Sequence, residues 1–328
     1  MHTPTPLQPG DTVAILAPSG PCDASKLANG VRVLQNLGLH VQVMESCHAS
    51  HGYLAGPDAL RLRDLHAAFA DKKIKGIFAA RGGYGAARLL PCLDYKMIRQ
   101  NPKIFVGFSD VTALHIVLNQ FCKLVTLHGP MPATCFDNPH PQTLESFKNA
   151  IFNLIVGATA LGRPDTTSCE QRRPGAVAPT LKTLYPGTAS GILTGGNLTV
   201  IASTLGTPYE INTRGRILFL EETGEAPYRV DRLLLQIKLS GKLNDAAGII
   251  FGDFSPETLT TLRTAIEELI LPLKKPTLWG LPCGHSSPNI TLPLGAAVSL
   301  QTEHPHRQIQ VTSLQHQIPC QTGRRHLR

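Results

Sequence analysis

Apolar positions in the first half of the chain follow two alternating rhythms. Thr12–Ala17 is an apolar run that stops at the turn residues Pro18, Ser19 and Gly20. Between Asp23 and Leu37, residues Leu27, Val31, Leu34 and Leu37 recur at helical spacing, and Gly38 ends the helix. Leu39, Val41 and Val43 alternate as a strand, and a second helix over Ala59–Phe69 buries Leu62, Leu65 and Phe69. Gly76–Ala80, Ile104–Phe108 and Val125–His128 add further short strands. Strands apolar on both faces, separated by amphipathic helices, predict a parallel sheet covered on both sides.

The rhythm fails between Val156 and Pro186, where Gly, Pro, Thr, Ser and the pair Arg172-Arg173 replace periodic positions. This stretch, 156–186, reads as a linker between an N-terminal α/β domain (1–155) and a C-terminal domain (187–328). Beyond it, strands are expected near Gly191–Leu193, Ile217–Leu220, Gly248–Phe251 and Thr277–Trp279. Helices are expected near Asn197–Leu205, Tyr228–Leu239 and Pro256–Leu271. Their irregular spacing and dense Gly/Pro punctuation make the second domain mixed α/β.

Composition narrows the function classes. No apolar run is long enough to span a bilayer, and Met1–Pro6 lacks the start of a secretory signal, so a cytoplasmic protein is expected. The eight cysteines are scattered without a C-x-x-C pair, as free thiols of a reducing compartment would be. H-E-x-x-H is also absent, so neither a metal nor another cofactor is expected. The net charge of +8 is spread along the chain, with arginine clusters at Arg172-Arg173 and in the tail Arg324–Arg328. Aromatic residues interleave with neither, so a general attraction for anionic substrates, or a solubilising surface, suits the charge better than nucleic acid does.

The candidate chemistry starts at Ile104-Phe105-Val106-Gly107-Phe108-Ser109-Asp110. A serine at a strand-to-helix elbow lifts its hydroxyl onto a helix N-terminus, where developing negative charge is favoured. Ser109 is therefore a candidate nucleophile, with helix capping as its alternative role. Two histidines at strand ends, His128 and His285, compete for the role of base, and position does not separate them. Glu221 and Glu222 end a strand; alternation turns one inward as a partner for an imidazole and the other outward, unless both are solvated. The turn Arg81-Gly82-Gly83-Tyr84-Gly85 suits either an oxyanion hole or a phosphate cradle, although it lacks the P-loop lysine.

In order along the chain, these segments resemble the serine LD-carboxypeptidase (muramoyltetrapeptide carboxypeptidase) family, which includes a microcin C resistance branch. The resemblance rests on Gly10–Val13, Ala17–Gly20, Arg81–Gly85, Gly107–Asp110, His128–Pro130, Gly195–Leu198, Leu220–Glu222, Tyr228–Arg232, Gly284-His285 and Thr291–Gly295. It implies a flavodoxin-like or glutamine-amidotransferase-like N-terminal sheet, a smaller C-terminal α/β domain, and a site between them. It further implies a Ser109–His285–Glu221 triad, choosing His285 over His128 and Glu221 over Glu222. Backbone N–H groups of Gly83 and Asp110 would form the oxyanion hole. Family members are cytoplasmic dimers that need no metal and release D-alanine from murein tetrapeptides; the microcin branch instead cleaves beside an adenylate. The substrate carboxylate needs a cationic or N–H partner, for which Arg232 is a candidate. A non-catalytic binding module and an α/β-hydrolase esterase are the rival classes; the latter lacks its G-x-S-x-G here.

Overall fold

A computed structural model describes residues 1–154, 181–254, 256–303 and 307–313. Strands β1 (Thr12–Leu16), β2 (His40–Val43), β3 (Ile74–Ala79), β4 (Ile104–Gly107) and β5 (Thr126–His128) are parallel and lie in the order 2-1-3-4-5. This is the flavodoxin-like order, whose reversal between β1 and β3 opens a crevice at the carboxyl ends of the strands. The connecting helices are α1 (Ala24–Asn36), α2 (Asp58–Ala70), α3 (Tyr95–Gln100) and α4 (Thr112–Gln120), followed by α5 (Pro132–Cys135) and α6 (Pro141–Phe152). Asp23 caps α1 by accepting the Ser25 and Lys26 amides.

Strand alternation separates the two faces of this sheet. Ala14, Leu16, Ile77 and Phe105 pack with Leu65 and Phe69 of α2 and Leu114 and Val117 of α4. Val13, Ile15, Phe78, Ile104 and Val106 pack on the other side with Leu27 and Leu34 of α1 and Phe147 and Ile151 of α6. Both faces are buried, as a parallel sheet requires.

The second sheet is mixed. β7 (Thr188–Asn197), β8 (Ile217–Glu221), β9 (Gly248–Phe251) and β10 (Thr277–Trp279) run parallel, and β6 (Lys182–Tyr185) pairs antiparallel with β10. Helices α7 (Leu198–Ser203), α8 (Pro227–Leu239), α9 (Lys242–Asp245) and α10 (Pro256–Ile270) belong to this half. Leu218, Leu220, Ile249 and Phe251 form a core with residues of α7 and α8, and this core also takes in Ile116 of α4. The helix that follows Ser109 is thus packed between the two halves.

Two features depart from the sequence reading. The expected linker 156–186 ends in an edge strand, because Lys182–Tyr185 is β6; four residues at a sheet edge, one exposed and three half-buried, carry little periodicity. Most of that stretch, 155–180, lies outside the described residues, as does the basic tail Arg324–Arg328. The chain also returns to the first sheet: β11 (Leu292–Leu294) pairs antiparallel with β5 before β12 (Ala297–Gln301) and β13 (Gln308–Ser313) extend the second sheet from β7.

Candidate active site

Ser109 follows the carboxyl end of β4 in a single tight turn, Ser109–Val111, that leads into α4. Its φ is +65°, a left-handed conformation that costs a non-glycine residue on the order of 1–3 kcal/mol and must be imposed by its surroundings. A β-carbon at Gly107 would lie 2.7 Å from Val111 Cγ1, so the elbow can close this tightly only over glycine. Neither this turn nor α4 has a side-chain cap, which removes the capping role proposed for Ser109 as an alternative. Below the elbow, buried His115 Nε2 donates to the Gly107 carbonyl at 2.8 Å, while its Nδ1 accepts from Thr126 Oγ1 at 2.8 Å.

The glycine turn lies over this elbow. A β-carbon on Gly82 would sit 2.7 Å from Ser109 Oγ and 3.6 Å from the Asp110 amide nitrogen. Gly83 has φ +117° and packs on Gly20, whose amide donates to the Gly82 carbonyl at 3.1 Å. The Asp110 side chain is buried and accepts the Ala86 amide at 2.8 Å, tying elbow to turn. Burial raises the Asp110 carboxyl against the pull of the Ala86 amide and the nearby Ser19 hydroxyl. The Arg81 guanidinium stays beside Gly20 and donates to the Pro21 carbonyl at 3.1 Å.

One residue that holds these loops escaped the sequence reading. Arg61 is fully buried on α2, donates to the carbonyls of Pro18 and Gly85, and pairs with Asp58. It thereby pins the loops after β1 and β3, the two flanks of the switch point. The available signal was its helical spacing: Arg61 shares a face with Leu65, Ala68 and Phe69.

The two glutamates face different partners. Glu221 is fully buried, and its Oε2 accepts from His285 Nδ1 at 2.8 Å. Burial raises its carboxyl above the usual range, and the His285 bond pulls it back. The expectation that the second glutamate points outward is wrong. Glu222 is 4% exposed and accepts the Thr199 amide (2.9 Å) and hydroxyl (2.7 Å), Asn197 Nδ2 (3.2 Å) and its neighbour Thr223's amide (2.9 Å). It is held at the N-terminus of α7, where backbone donors favour a carboxylate. The two carboxylates take different partners: Glu221 meets the imidazole, and Glu222 meets a helix terminus where water was expected.

His285 lies in the Gly280–Asn289 loop, which reaches Glu221 because residue 284 has no side chain: a β-carbon there would lie 2.7 Å from Glu221 Oε2. Side chains fasten the loop. Asn289 Oδ1 accepts the Gly284 amide at 3.1 Å, and Thr143 and Ser146 on α6 accept the amides of Asn289 (2.8 Å) and Thr291 (3.0 Å). Ser286 donates to Asp253, whose carboxyl is raised to about 7 by burial and the nearby Glu221 charge. Phe108, the residue before Ser109, meets the His285 ring edge-on with centroids 4.8 Å apart.

The loop and the elbow thus meet at Phe108, with Glu221 bonded to His285 behind them. Arg232 is not drawn in. It lies exposed on α8 over the Tyr228 ring, lining a groove with Leu205, Leu235 and Leu239.

This order of segments and this fold have known counterparts. Residues 13–129 match the LD-carboxypeptidase N-terminal domain, and residues 190–300 match the LD-carboxypeptidase C-terminal domain. A probable murein peptide carboxypeptidase of Bacillus subtilis is 41% identical over 309 residues, covering 92% of each chain. The chain belongs to the LD-carboxypeptidase family. It is accordingly an enzyme, a carboxypeptidase of that family. The murein tetrapeptide carboxypeptidase of Pseudomonas aeruginosa is 30% identical, over 88% of this chain and 92% of its own. Among solved structures, MccF in complex with glutamyl sulfamoyl guanosine matches with TM-score 0.84 and 26% identity, over 94% of this chain and 98% of its own. Muramoyltetrapeptide carboxypeptidase from Oxalobacter formigenes matches with TM-score 0.74 and 29% identity, over 92% and 97%.

Proposed function

We propose that this protein is a serine LD-carboxypeptidase that removes the terminal D-alanine from murein tetrapeptides in the cytoplasm, working through Ser109, His285 and Glu221. The single observation that carries this reading is the 2.8 Å bond from His285 Nδ1 to buried Glu221, made in a loop whose imidazole meets the residue beside Ser109. With Nδ1–H donated to the carboxylate, Nε2 keeps the lone pair that a general base needs.

In this scheme Ser109 Oγ attacks the carbonyl between the diamino acid and D-alanine as His285 takes the hydroxyl proton. In this reading the tetrahedral oxyanion is held by the Gly83 and Asp110 amides, which belong to the glycine turn and the elbow packed against each other at Gly82. His285 returns its proton to the departing amine, and D-alanine leaves. Water, deprotonated by the same imidazole, then cleaves the acyl-serine ester. Glu221 orients His285 and stabilises its charged form. For the terminal carboxylate of the substrate, Arg81 at the glycine turn is a better placed cation than Arg232 on α8.

The experiment is release of D-alanine from L-lysine- and meso-diaminopimelate-type tetrapeptides, read by mass spectrometry. Wild type loses one alanine from at least one of them. Ser109→Ala lowers the rate by at least about a thousandfold while the melting temperature holds. Undiminished turnover in that variant would overturn the assignment. The likeness to MccF supports a second reading, cleavage beside an adenylate, and a peptidyl-adenylate analogue in the same assay separates the two. A homodimer is the assembly we propose, and sedimentation tests it.

A further inference from the structure

Glu221 has two oxygens in a fully buried site, and only one has a hydrogen-bond partner. His285 serves Oε2, while Oε1 has none. A buried carboxylate oxygen without a donor is costly enough that such groups are rare. The side chain facing it is His128, also fully buried, whose Nε2 lies 4.0 Å from Oε1 and likewise has no partner. Two orphaned atoms of opposite character thus point at each other, and an approach of about 1 Å makes them a normal hydrogen bond. Bonds of this kind often tighten only when substrate is bound.

The direction of such a bond depends on which nitrogen of His128 carries hydrogen. Burial holds this imidazole far below its ordinary pKa, so it is neutral and has one N–H. Its Nδ1 lies 3.4 Å from Cys283 Sγ. Burial and the charges of Asp253 and Glu221 keep that thiol protonated, so its S–H can donate to Nδ1, in competition with a ring contact to the residue's own backbone; that donation would leave the ring hydrogen on Nε2. The other tautomer would aim a lone pair at the carboxylate. Glu221 is otherwise faced by Asp253 and Glu222 and by the side-chain amide of Asn197, which pulls its carboxyl down while its own hydrogen bond goes to Glu222 at 3.2 Å; His128 is faced by His115 and the rings of Phe108 and Phe219.

We propose that His128 is a positioning residue, which holds the Glu221 oxygen that His285 leaves free and has its tautomer set by Cys283. The connection links both halves of the site. His128 pairs with Gly107 at the end of β4, two residues before Ser109, and Cys283 stands two residues before His285. The proposal rests on the acid–base roles assigned above to Glu221 and His285.

Its test uses full-length protein labelled with 15N-histidine. Long-range 1H–15N spectra at neutral pH are expected to show His128, identified by its loss in His128→Gln, as the Nε2–H tautomer. They should also show a low-field His285 Nδ1–H resonance. Cys283→Ser keeps that tautomer, and Cys283→Ala loses it. With tetrapeptide, His128→Leu is expected to lower kcat about ten- to a hundredfold with KM held, and His128→Gln, which retains a donor, to recover most of the loss. The Nδ1–H tautomer in wild type would overturn the proposal. So would a His128→Leu enzyme with full kcat and an unmoved low-field resonance, or a Cys283→Ala protein whose tautomer is unchanged. Should His128→Leu fail to fold, the Cys283 pair decides. If wild type releases no D-alanine, the functional reading fails, while the tautomer still tests His128.

Discussion

The two halves of the site are held in place by different means. On the Ser109 side, tightly packed backbone sets the position, with a left-handed serine, a glycine elbow at Gly107, and Gly82 and Gly83 packed where side chains would collide, while buried Asp110, Arg61 and His115 brace it from behind. On the His285 side, side chains do it: Glu221 on the imidazole, Asn289 within the loop, and Thr143 and Ser146 reaching across from α6. A nucleophile needs one fixed point in space, which a strained turn on a rigid sheet provides. A base that takes and returns a proton needs a fixed direction and a partner for its charge, which hydrogen bonds provide.

This contrast can be broken or sharpened by substitution. The largest effect is expected on the side-chain half. Glu221→Gln keeps the shape but frees the imidazole tautomer, and kcat for D-alanine release should fall about a thousand- to ten-thousandfold; a loss under tenfold would remove Glu221 from the proton chain. On the backbone half, Gly82→Ala places a methyl group 2.7 Å from Ser109 Oγ and should lower kcat roughly a hundredfold without changing the melting temperature by more than a few degrees. Steady-state kinetics beside calorimetry checks both.

Two smaller effects probe the supports. His115, beneath the elbow, is held neutral by burial, its pKa lowered from 6.5 to about 4. The unfolded chain therefore binds a proton that the native imidazole refuses. Stability is complete above pH 6.5 and is lost as pH falls towards about 4, this residue contributing on the order of 3 kcal/mol of that loss. His115→Gln should shrink the difference between urea midpoints at pH 7 and pH 4.5; an unchanged difference would show that the imidazole is protonated in the native state. On the other side, Thr143→Val leaves the Asn289 amide without its acceptor and should cost about 1–2 kcal/mol in urea unfolding, with a larger fractional change in kcat than in KM.

Much of this architecture is legible in the chain. The central strands of the first sheet, β1, β3 and β4, are apolar on both faces, and β2 at the edge alternates, so their period and the glycine stops show where each begins and ends. Ser109 announces itself by following an apolar run and a glycine. The second half is harder to read. β6 is four residues at an edge, and β11 is Leu-Pro-Leu, too short for any periodicity and placed by pairing with a strand more than 150 residues earlier. The environments of Glu221 and Glu222 could not be told apart, because the difference lies in what each meets: a loop from residue 284 onward for one, the start of α7 for the other. Arg61 and His128 reveal their surroundings only once distant segments are assembled.

The return of the chain to the first sheet at Leu292–Leu294 has a consequence for how the molecule holds together. The segment bearing His285 leaves from β10 in one sheet and ends on β5 in the other, so it is strung between two anchors rather than hung from one. Were the halves to drift apart, the first sheet would surrender its outermost strand and the imidazole its carboxylate in the same movement. Integrity of the hydrophobic scaffold and readiness for chemistry are therefore written into one short piece of backbone.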